Sequence, residues 1–358
     1  MSLIKDTLHG LMSKYIPVYP FGAIFMVTSR CNAHCKMCDI WQRKSTDLDI
    51  NIYENFLKSP VLSKIVNAAF TGGEPTLRTD LDRMVEILLN HCPDLESMNI
   101  STNALNPDHI DENIAKILHV RNTLKPDLKL LIQISLDGPG NLHDSVRGIK
   151  GAFNRVMTTV SRLEKRFTNE KNAELYFLCV LQPENLVDID SLEQFFDEQP
   201  HDTVFNMICD ASYVVTNNLY SPQLTLEHEK ILTSFYKRLL QNPHLSPRLK
   251  YHYREILSWL ELGFRSRTCG LITQHIILSV DGQLLPCLNC GNHMFPEISY
   301  PKELHRFWKS RERQKTVRNI KENLCAHCRA SCGPNIFDAA FALVKESFIK
   351  RFHRLNGK

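Results

Sequence analysis

Through the first two thirds of the chain, a strand-like apolar run gives way to a helical apolar stripe about every thirty residues, and few folds accept that rhythm. Candidate strands are Phe21 to Thr28, Ile65 to Thr71, Leu95 to Ser101, Leu130 to Leu136, Leu175 to Leu181 and Val204 to Cys209. Between them Leu81, Met84, Val85, Leu88 and Leu89 recur at helical spacing, as do Ile110, Ile114, Ile117 and Leu118, and Phe153, Val156, Met157 and Val160. Each stripe lays one apolar face on a sheet. Six such units predict an α/β fold with parallel strands, either doubly wound or an incomplete barrel. In both, the strands' carboxyl ends carry the site.

The pattern changes twice. Residues 216–265 read as a helical connection, and from residue 266 a second, smaller unit begins: "HIILSVDGQLLPC" alternates, turns at Asp281-Gly282 and alternates again, as a hairpin does. The expected organisation is an N-terminal extension over 1–20, a barrel-like unit over 21–215, the connection, and a C-terminal hairpin and helix unit over 266–358. No stretch reaches the ~20 apolar residues of a membrane span, and Pro17 and Pro20 break the apolar segment near the start. The net charge of +4 is interleaved, without the continuous basic stripe that nucleic acid demands. A soluble, cytoplasmic protein is expected.

The chain has 12 cysteines, concentrated at 31, 35 and 38 and again at 269, 287, 290, 325, 328 and 332. Without a secretory signal, they point to metal or redox chemistry rather than disulfides. "CNAHCKMC", residues 31–38, follows the first predicted strand. At this cysteine content the triplet spacing arises by chance roughly 0.013 times, whereas a bare CxxC arises roughly 0.4 times. Structural zinc closes a shell of four ligands, and His34 shares its short backbone segment with Cys35. A [4Fe-4S] cluster on three cysteines instead leaves one iron for a small molecule.

With these residues the sequence resembles the radical S-adenosylmethionine (radical SAM) superfamily, whose mark is CxxxCxxC after the first strand of a partial (β/α)6 TIM-type barrel. The resemblance covers about residues 21 to 210. It implies that Cys31, Cys35 and Cys38 hold a [4Fe-4S] cluster, and that Met37 stands where the family usually has an aromatic residue near the adenine. It further implies that Gly72, Gly73 and Glu74 of "TGGEP" meet the methionine amino group of S-adenosylmethionine (SAM). Thr102 and Asn103 of "STN" and Ser135 of "SLDG" end the next two strands, where they could bond a ribose or carboxylate, although caps and turns use the same residues. "HDSVRG" nominates Arg147 for the SAM carboxylate, against a solvated loop arginine. The implied chemistry is reductive cleavage of SAM to a 5'-deoxyadenosyl radical that abstracts hydrogen from a substrate carbon. A low-potential electron donor such as flavodoxin or ferredoxin follows from that.

The later cysteines resemble the SPASM and twitch auxiliary-cluster domains: Cys269, then Gly282, then Cys287, with Cys325, Cys328 and Cys332 after them. Two fully ligated cubanes need eight thiolates, and six are present. One reading is a single auxiliary [4Fe-4S] cluster on Cys269, Cys287, Cys325 and Cys328. Others use Cys290 or Cys332, leave an iron open toward substrate, or place zinc in a ribbon of four thiolates. Cys92, Cys179 and Cys209 stand alone, as small buried hydrophobes do. Near the C-terminus Phe337, Phe341, Val344, Phe348 and Phe352 form a helical stripe that packs on its own protein or lies on a membrane surface.

Three functions compete. The first is a radical SAM oxidoreductase acting on a small metabolite, with Asp210, Ser212 and Tyr213 in position for a base. The second is a maturase of ribosomal peptides. Only 30 residues precede Cys31, so it would need a separate recognition protein. The third is a non-enzymatic iron–sulfur or zinc regulator, which leaves Gly72-Gly73-Glu74-Pro75 unexplained.

Overall fold

The computed structural model describes residues 19–44, 46–209, 224–265, 269–289 and 295–330. Strand β1 (Gly22–Thr28) leads through the cysteine loop to α1 (Ile50–Leu57). Then β2 (Asn67–Gly72), α2 (Leu81–His91), β3 (Ser97–Thr102), α3 (Pro107–Leu124) and β4 (Lys129–Ser135) alternate. Two helices, α4 (Gly140–Arg147) and α5 (Ala152–Phe167), precede β5 (Ala173–Leu181), and α6 (Ile189–Asp197) precedes β6 (Thr203–Met207). The long pair α7 (Leu226–Gln241) and α8 (Pro247–Leu262) is followed by a single turn α9 (Leu271–Gln274), the hairpin β7 (His275–Leu278) and β8 (Leu284–Leu285), and helices α10 (Lys302–Trp308) and α11 (Arg311–Asn323).

The strands form one sheet in the order β6-β5-β4-β3-β2-β1-β7-β8, parallel from β6 through β7, with β8 antiparallel to β7. Sequential parallel order with helical crossovers is the topology of a partial (β/α)6 barrel. The expected hairpin turns where the sequence places it: Gly282 takes φ 75°, and the Gly282 amide donates to the Ser279 carbonyl at 3.0 Å. It is not a detached sheet, because β7 pairs with β1 along Gly22 to Phe25. The cysteine-bearing C-terminal segment is thereby fastened to the strand that carries the first cysteine loop.

Burial explains the alternation along the strands. In β3, Met98, Ile100 and Thr102 are buried while Ser97, Asn99 and Ser101 are half-buried. In β4, Leu130, Ile132 and Ile134 alternate in the same way with Leu131, Gln133 and Ser135. The buried face carries the helices and the apolar core, centred near β1 on Phe25, Tyr53, Phe56 and Phe70, with the Phe25 and Tyr53 rings edge to face at 5.0 Å. The half-buried polar face is the inner wall of the barrel. Among the described residues, no helix is long and apolar enough to cross a membrane. Asp210, Ser212, Tyr213, Cys290, Cys332 and the C-terminal apolar stripe lie outside the described residues.

Candidate active site

The cysteine loop leaves the carboxyl end of β1, and its base is held before any cysteine is reached. Arg30 forks onto Asp47 at 2.9 and 2.7 Å, and the Thr28 hydroxyl donates to the same carboxylate at 2.6 Å. Buried Arg78 donates to the Val27 and Leu48 carbonyls at 2.8 and 2.7 Å while Asp80 balances its charge. The Val27 carbonyl at this strand end also accepts from the Leu48 amide at 2.9 Å, so Arg78 is its second donor and ties β1 to the Leu48 segment.

The two glycines of "TGGEP" answer to the chain itself. Gly72 takes φ 130°, and a Cβ there would lie 3.3 Å from the Thr28 nitrogen. A Cβ on Gly73 would lie 2.7 Å from the Arg30 carbonyl carbon and 3.0 Å from that of Ser29. The Gly73 amide donates to Thr28 O at 2.7 Å and the Glu74 amide to Arg30 O at 2.8 Å. The close approach that glycine permits here is therefore between the second strand's loop and the residues leading into Cys31. The Glu74 side chain, 1% exposed, accepts from the Thr76 amide and hydroxyl at 3.1 and 2.6 Å and from the Asn103 amide at 2.6 Å. Burial pushes its carboxyl up while these bonds oppose the shift. Glu74 thus ties the loop after β2 to the turn after β3.

That turn spends most of its polar atoms locally. The Thr102 hydroxyl accepts from the Ala104 amide at 3.0 Å, and Asn103 Oδ1 accepts from the Leu105 amide at 3.1 Å. These bonds are the turn use of "STN". Asn103 Nδ2 points the other way, donating to Asn32 Oδ1 at 2.7 Å with Cys31 Sγ at 3.7 Å. Met37 and Ser135 are half-buried, Met37 in the cysteine loop and Ser135 at the carboxyl end of β4.

"HDSVRG" is a helix end, not a solvated loop. Arg147 is the last residue of α4, 7% exposed, and Gly148 closes the helix with φ 65°. The helix's final carbonyls receive the cysteine loop: His34 N donates to Arg147 O and Lys36 N to Val146 O, both at 3.0 Å. The Arg147 side chain donates through Nε to Asp137 at 2.7 Å and faces Cys35 Sγ with Nη1 at 3.5 Å. Burial disfavours this charge, but Asp137 and Cys35 override it and hold the guanidinium ionised. Burial also pushes the Asp137 carboxyl up, and Arg147 pulls it down. With the Val180 amide donating at 3.2 Å as well, Asp137 is surrounded by donors suited to a carboxylate. His143 Nδ1 accepts the Asp137 amide at 3.1 Å, and burial lowers its pKa to about 3, so it stays neutral. Sequence reasoning missed Asp137; its one signal was a place two residues after Ser135 in "SLDG".

The three thiols share this pocket. Burial pushes Cys31 up to about 12 and Cys38 up to about 11; Cys35 and Cys38 raise Cys31 further, and Cys35 raises Cys38. The protein alone does not ionise Cys31 or Cys38. Bound iron does, and a set of three neighbouring thiols with an adjacent guanidinium fits an anionic iron–sulfur cluster. Among the described residues, no three histidine, cysteine or acidic groups converge into the shell of a single metal ion.

The second cysteine group meets at the end of α8. Arg265 donates from its amide to Ala326 O at 2.9 Å and from Nη1 to Ala330 O at 2.6 Å, while Trp259 Nε1 donates to His327 O at 3.3 Å. These bonds set the loop of Cys325 and Cys328 beside Cys269, and burial pushes Cys325 up to about 11. Cys269 and Cys287 share one apolar cluster with Met26 of β1, Leu271, Ile277 and Leu285. Cys92 and Cys179 are fully buried, and Asn185 Nδ2 faces Cys179 Sγ at 3.8 Å.

On the inner wall, the Tyr176 hydroxyl stands 3.1 Å from Asn99 Oδ1 and 2.8 Å from Gln133 Oε1, and His252 Nε2 reaches Asn206 Oδ1 at 2.7 Å. Burial raises Tyr176 to about 12, so the phenol keeps its proton. One proton serves one amide oxygen, and the other amide must turn its NH2 to the phenol. One amide of the pair then has its NH2, and the other its oxygen, on the side away from the phenol.

Residues 25–196 match the model of the radical SAM superfamily. The chain is 26% identical over 167 residues to the sporulation killing factor maturation protein SkfB of Bacillus subtilis, covering 46% of this chain and 37% of that protein. It is 31% identical over 116 residues to a GTP 3',8-cyclase of Sulfurimonas denitrificans, covering 30% and 36%. The chain thus matches little more than a third of the length of these curated relatives. Among solved structures it resembles anSMEcpe with bound AdoMet and the Cp18Cys peptide, with TM-score 0.60, 20% identity, and 94% and 99% of the two chains covered. It also resembles Streptococcus suis SuiB bound to the precursor peptide SuiA, with TM-score 0.60, 14% identity, and 90% and 73% covered. At these identities the likeness is one of fold. Residues 25–196 thus carry a radical SAM domain, and the superfamily this domain matches consists of enzymes that use a [4Fe-4S] cluster and SAM.

Proposed function

We propose that this chain is a peptide-modifying radical SAM enzyme whose SAM-binding cluster is held by Cys31, Cys35 and Cys38. A cluster held there would supply, with an electron from a low-potential donor, the reductive cleavage of SAM that makes hydrogen abstraction from a substrate carbon possible. The chain's own part is to place and shield. Glu74 and Asn103 lock the second and third strand ends against the cysteine loop. Arg147 keeps a buried cation beside Cys35, with Nη2 left as the edge for the SAM carboxylate. The backbone of Gly72 and Gly73 lies at the loop where the SAM amino group would sit.

The observation that carries the substrate class is the Asn99, Gln133 and Tyr176 group. One amide donor beside one amide acceptor on the inner wall complements the C=O and N–H of a peptide group. The peptides bound to anSMEcpe and SuiB, and the role of SkfB as a maturation protein, agree with a peptide substrate. A small metabolite is the second reading, since the same polar wall could meet its hydroxyls and GTP 3',8-cyclases are also relatives. We further assign Cys269, Cys287, Cys325 and Cys328 to an auxiliary [4Fe-4S] cluster. Co-expression with each short reading frame flanking the gene tests the substrate: a peptide whose mass changes only when the enzyme is present supports the proposal. No modified peptide, together with turnover of a small metabolite, selects the second reading.

A further inference from the structure

Arg147 is committed to more than a ligand. Its Nε is bonded to Asp137 and its Nη1 lies 3.5 Å from Cys35 Sγ, in a pocket where Arg147 is 7% exposed and Asp137 is fully buried. His143, close to Asp137, is neutral and adds no charge to the buried Arg147–Asp137 pair beside Cys35; the neighbouring Lys36 is turned to Glu184 at 3.3 Å. Asp137 is further fixed by the Val180 amide, and Asn185 Nδ2 donates to its carbonyl at 3.2 Å. The arrangement holds the guanidinium against a thiol sulfur without letting it swing to solvent.

We propose that the Asp137–Arg147 pair sets the reduction potential of the SAM-binding cluster through Cys35, with Arg147 as the positioning cation and Asp137 as its partial counterweight. The inference rests on the assignment of Cys31, Cys35 and Cys38 to that cluster. One-electron reduction adds negative charge to a cluster already made anionic by three thiolates, and a hydrogen bond to sulfur plus a nearby cation favours the reduced form. Removing the cation therefore makes reduction harder, and removing its counter-carboxylate makes reduction easier. The two variants move in opposite directions, which damage to the fold does not produce.

The test is an EPR-monitored redox titration of the full chain, anaerobically reconstituted with iron and sulfide, following the signal that responds to added SAM. Arg147→Gln is expected to lower the reduced-to-oxidised ratio at a fixed potential at least tenfold, a 59 mV shift for one electron. Asp137→Asn keeps the arginine and every ligand and is expected to shift the potential upward, and it reads the same coupling should Arg147→Gln fail to retain iron. An unchanged potential in Asp137→Asn, or a shift of the same sign in both variants, overturns the proposal. A SAM-responsive signal that persists in Cys31→Ala/Cys35→Ala/Cys38→Ala would instead overturn the cluster assignment, so the two failures are distinguishable.

Discussion

Gly73→Ala separates a glycine that holds the site together from one that merely bends the chain. The added methyl would lie 2.7 Å from the Arg30 carbonyl carbon and 3.0 Å from that of Ser29, both backbone atoms with no side-chain freedom to yield. Restoring van der Waals contact requires Arg30 to retreat by about 1 Å. That motion disturbs the Glu74 N to Arg30 O and Gly73 N to Thr28 O bonds and displaces Cys31, the next residue. Overpacking of about 1–3 kcal/mol and about 1 kcal/mol for each weakened bond give a destabilisation of about 2–5 kcal/mol. A 1 Å misplacement at a reacting centre costs about 100-fold in rate. Gly151→Ala is the control: it also has positive φ, 77°, but its Cβ meets nothing within 4 Å. It should cost about 1 kcal/mol and leave SAM cleavage unchanged. The assays are urea unfolding and 5'-deoxyadenosine formation by reconstituted enzyme. Wild-type stability and rate in Gly73→Ala would refute the reading of this loop as a backbone clamp on Cys31.

Loss of Cys269 or Cys325 should remove about four irons per chain and spare SAM cleavage, because the first loop's cysteines are held by β1 and α4; zinc found there by elemental analysis would select the ribbon reading instead. Acid should destabilise the fold well before its carboxylates titrate. Burial lowers His143 to about 3 and His252 and His275 to about 4, so each is neutral when folded and takes up a proton on unfolding below about 6.5. Stability is then full above that pH and falls toward pH 4 by about 1.4 kcal/mol per pH unit for each histidine. Urea midpoints independent of pH between 7 and 5 would contradict it.

The strands were legible in the sequence because a buried parallel sheet writes long apolar runs, and β1, β4 and β5 begin and end within two residues of their expected limits. Ile65 and Leu95 mark where that signal misleads. Both are fully buried, yet each closes a turn, Ile65 N to Leu62 O and Leu95 N to Cys92 O, and β2 and β3 start two residues later. Apolarity reports burial before it reports strand. The hairpin at Gly282 was legible from its turn, but its attachment to β1 was not, since pairing partners distant in sequence leave no local mark.

The cysteine loop could be read from spacing alone, whereas its supports could not. Asp137, Asn32 and the Tyr176 group act only through neighbours brought from other strands. The resemblance gives the glycines of "TGGEP" to the SAM amino group and leaves no trace of their second constraint, that their Cβ positions face the backbone of Thr28, Ser29 and Arg30. "HDSVRG" gave the residue but not its setting, because a short polar helix with a buried arginine has the same composition as a solvated loop.

The central claim is that Cys31, Cys35 and Cys38 hold the cluster at which SAM is cleaved. Iron analysis with Mössbauer spectroscopy and 5'-deoxyadenosine assay on the reconstituted Cys31→Ala/Cys35→Ala/Cys38→Ala variant tests it most directly. The account predicts about four irons per chain, against about eight in the wild type, and no SAM-derived 5'-deoxyadenosine under reducing conditions. Undiminished 5'-deoxyadenosine formation by that variant would contradict it.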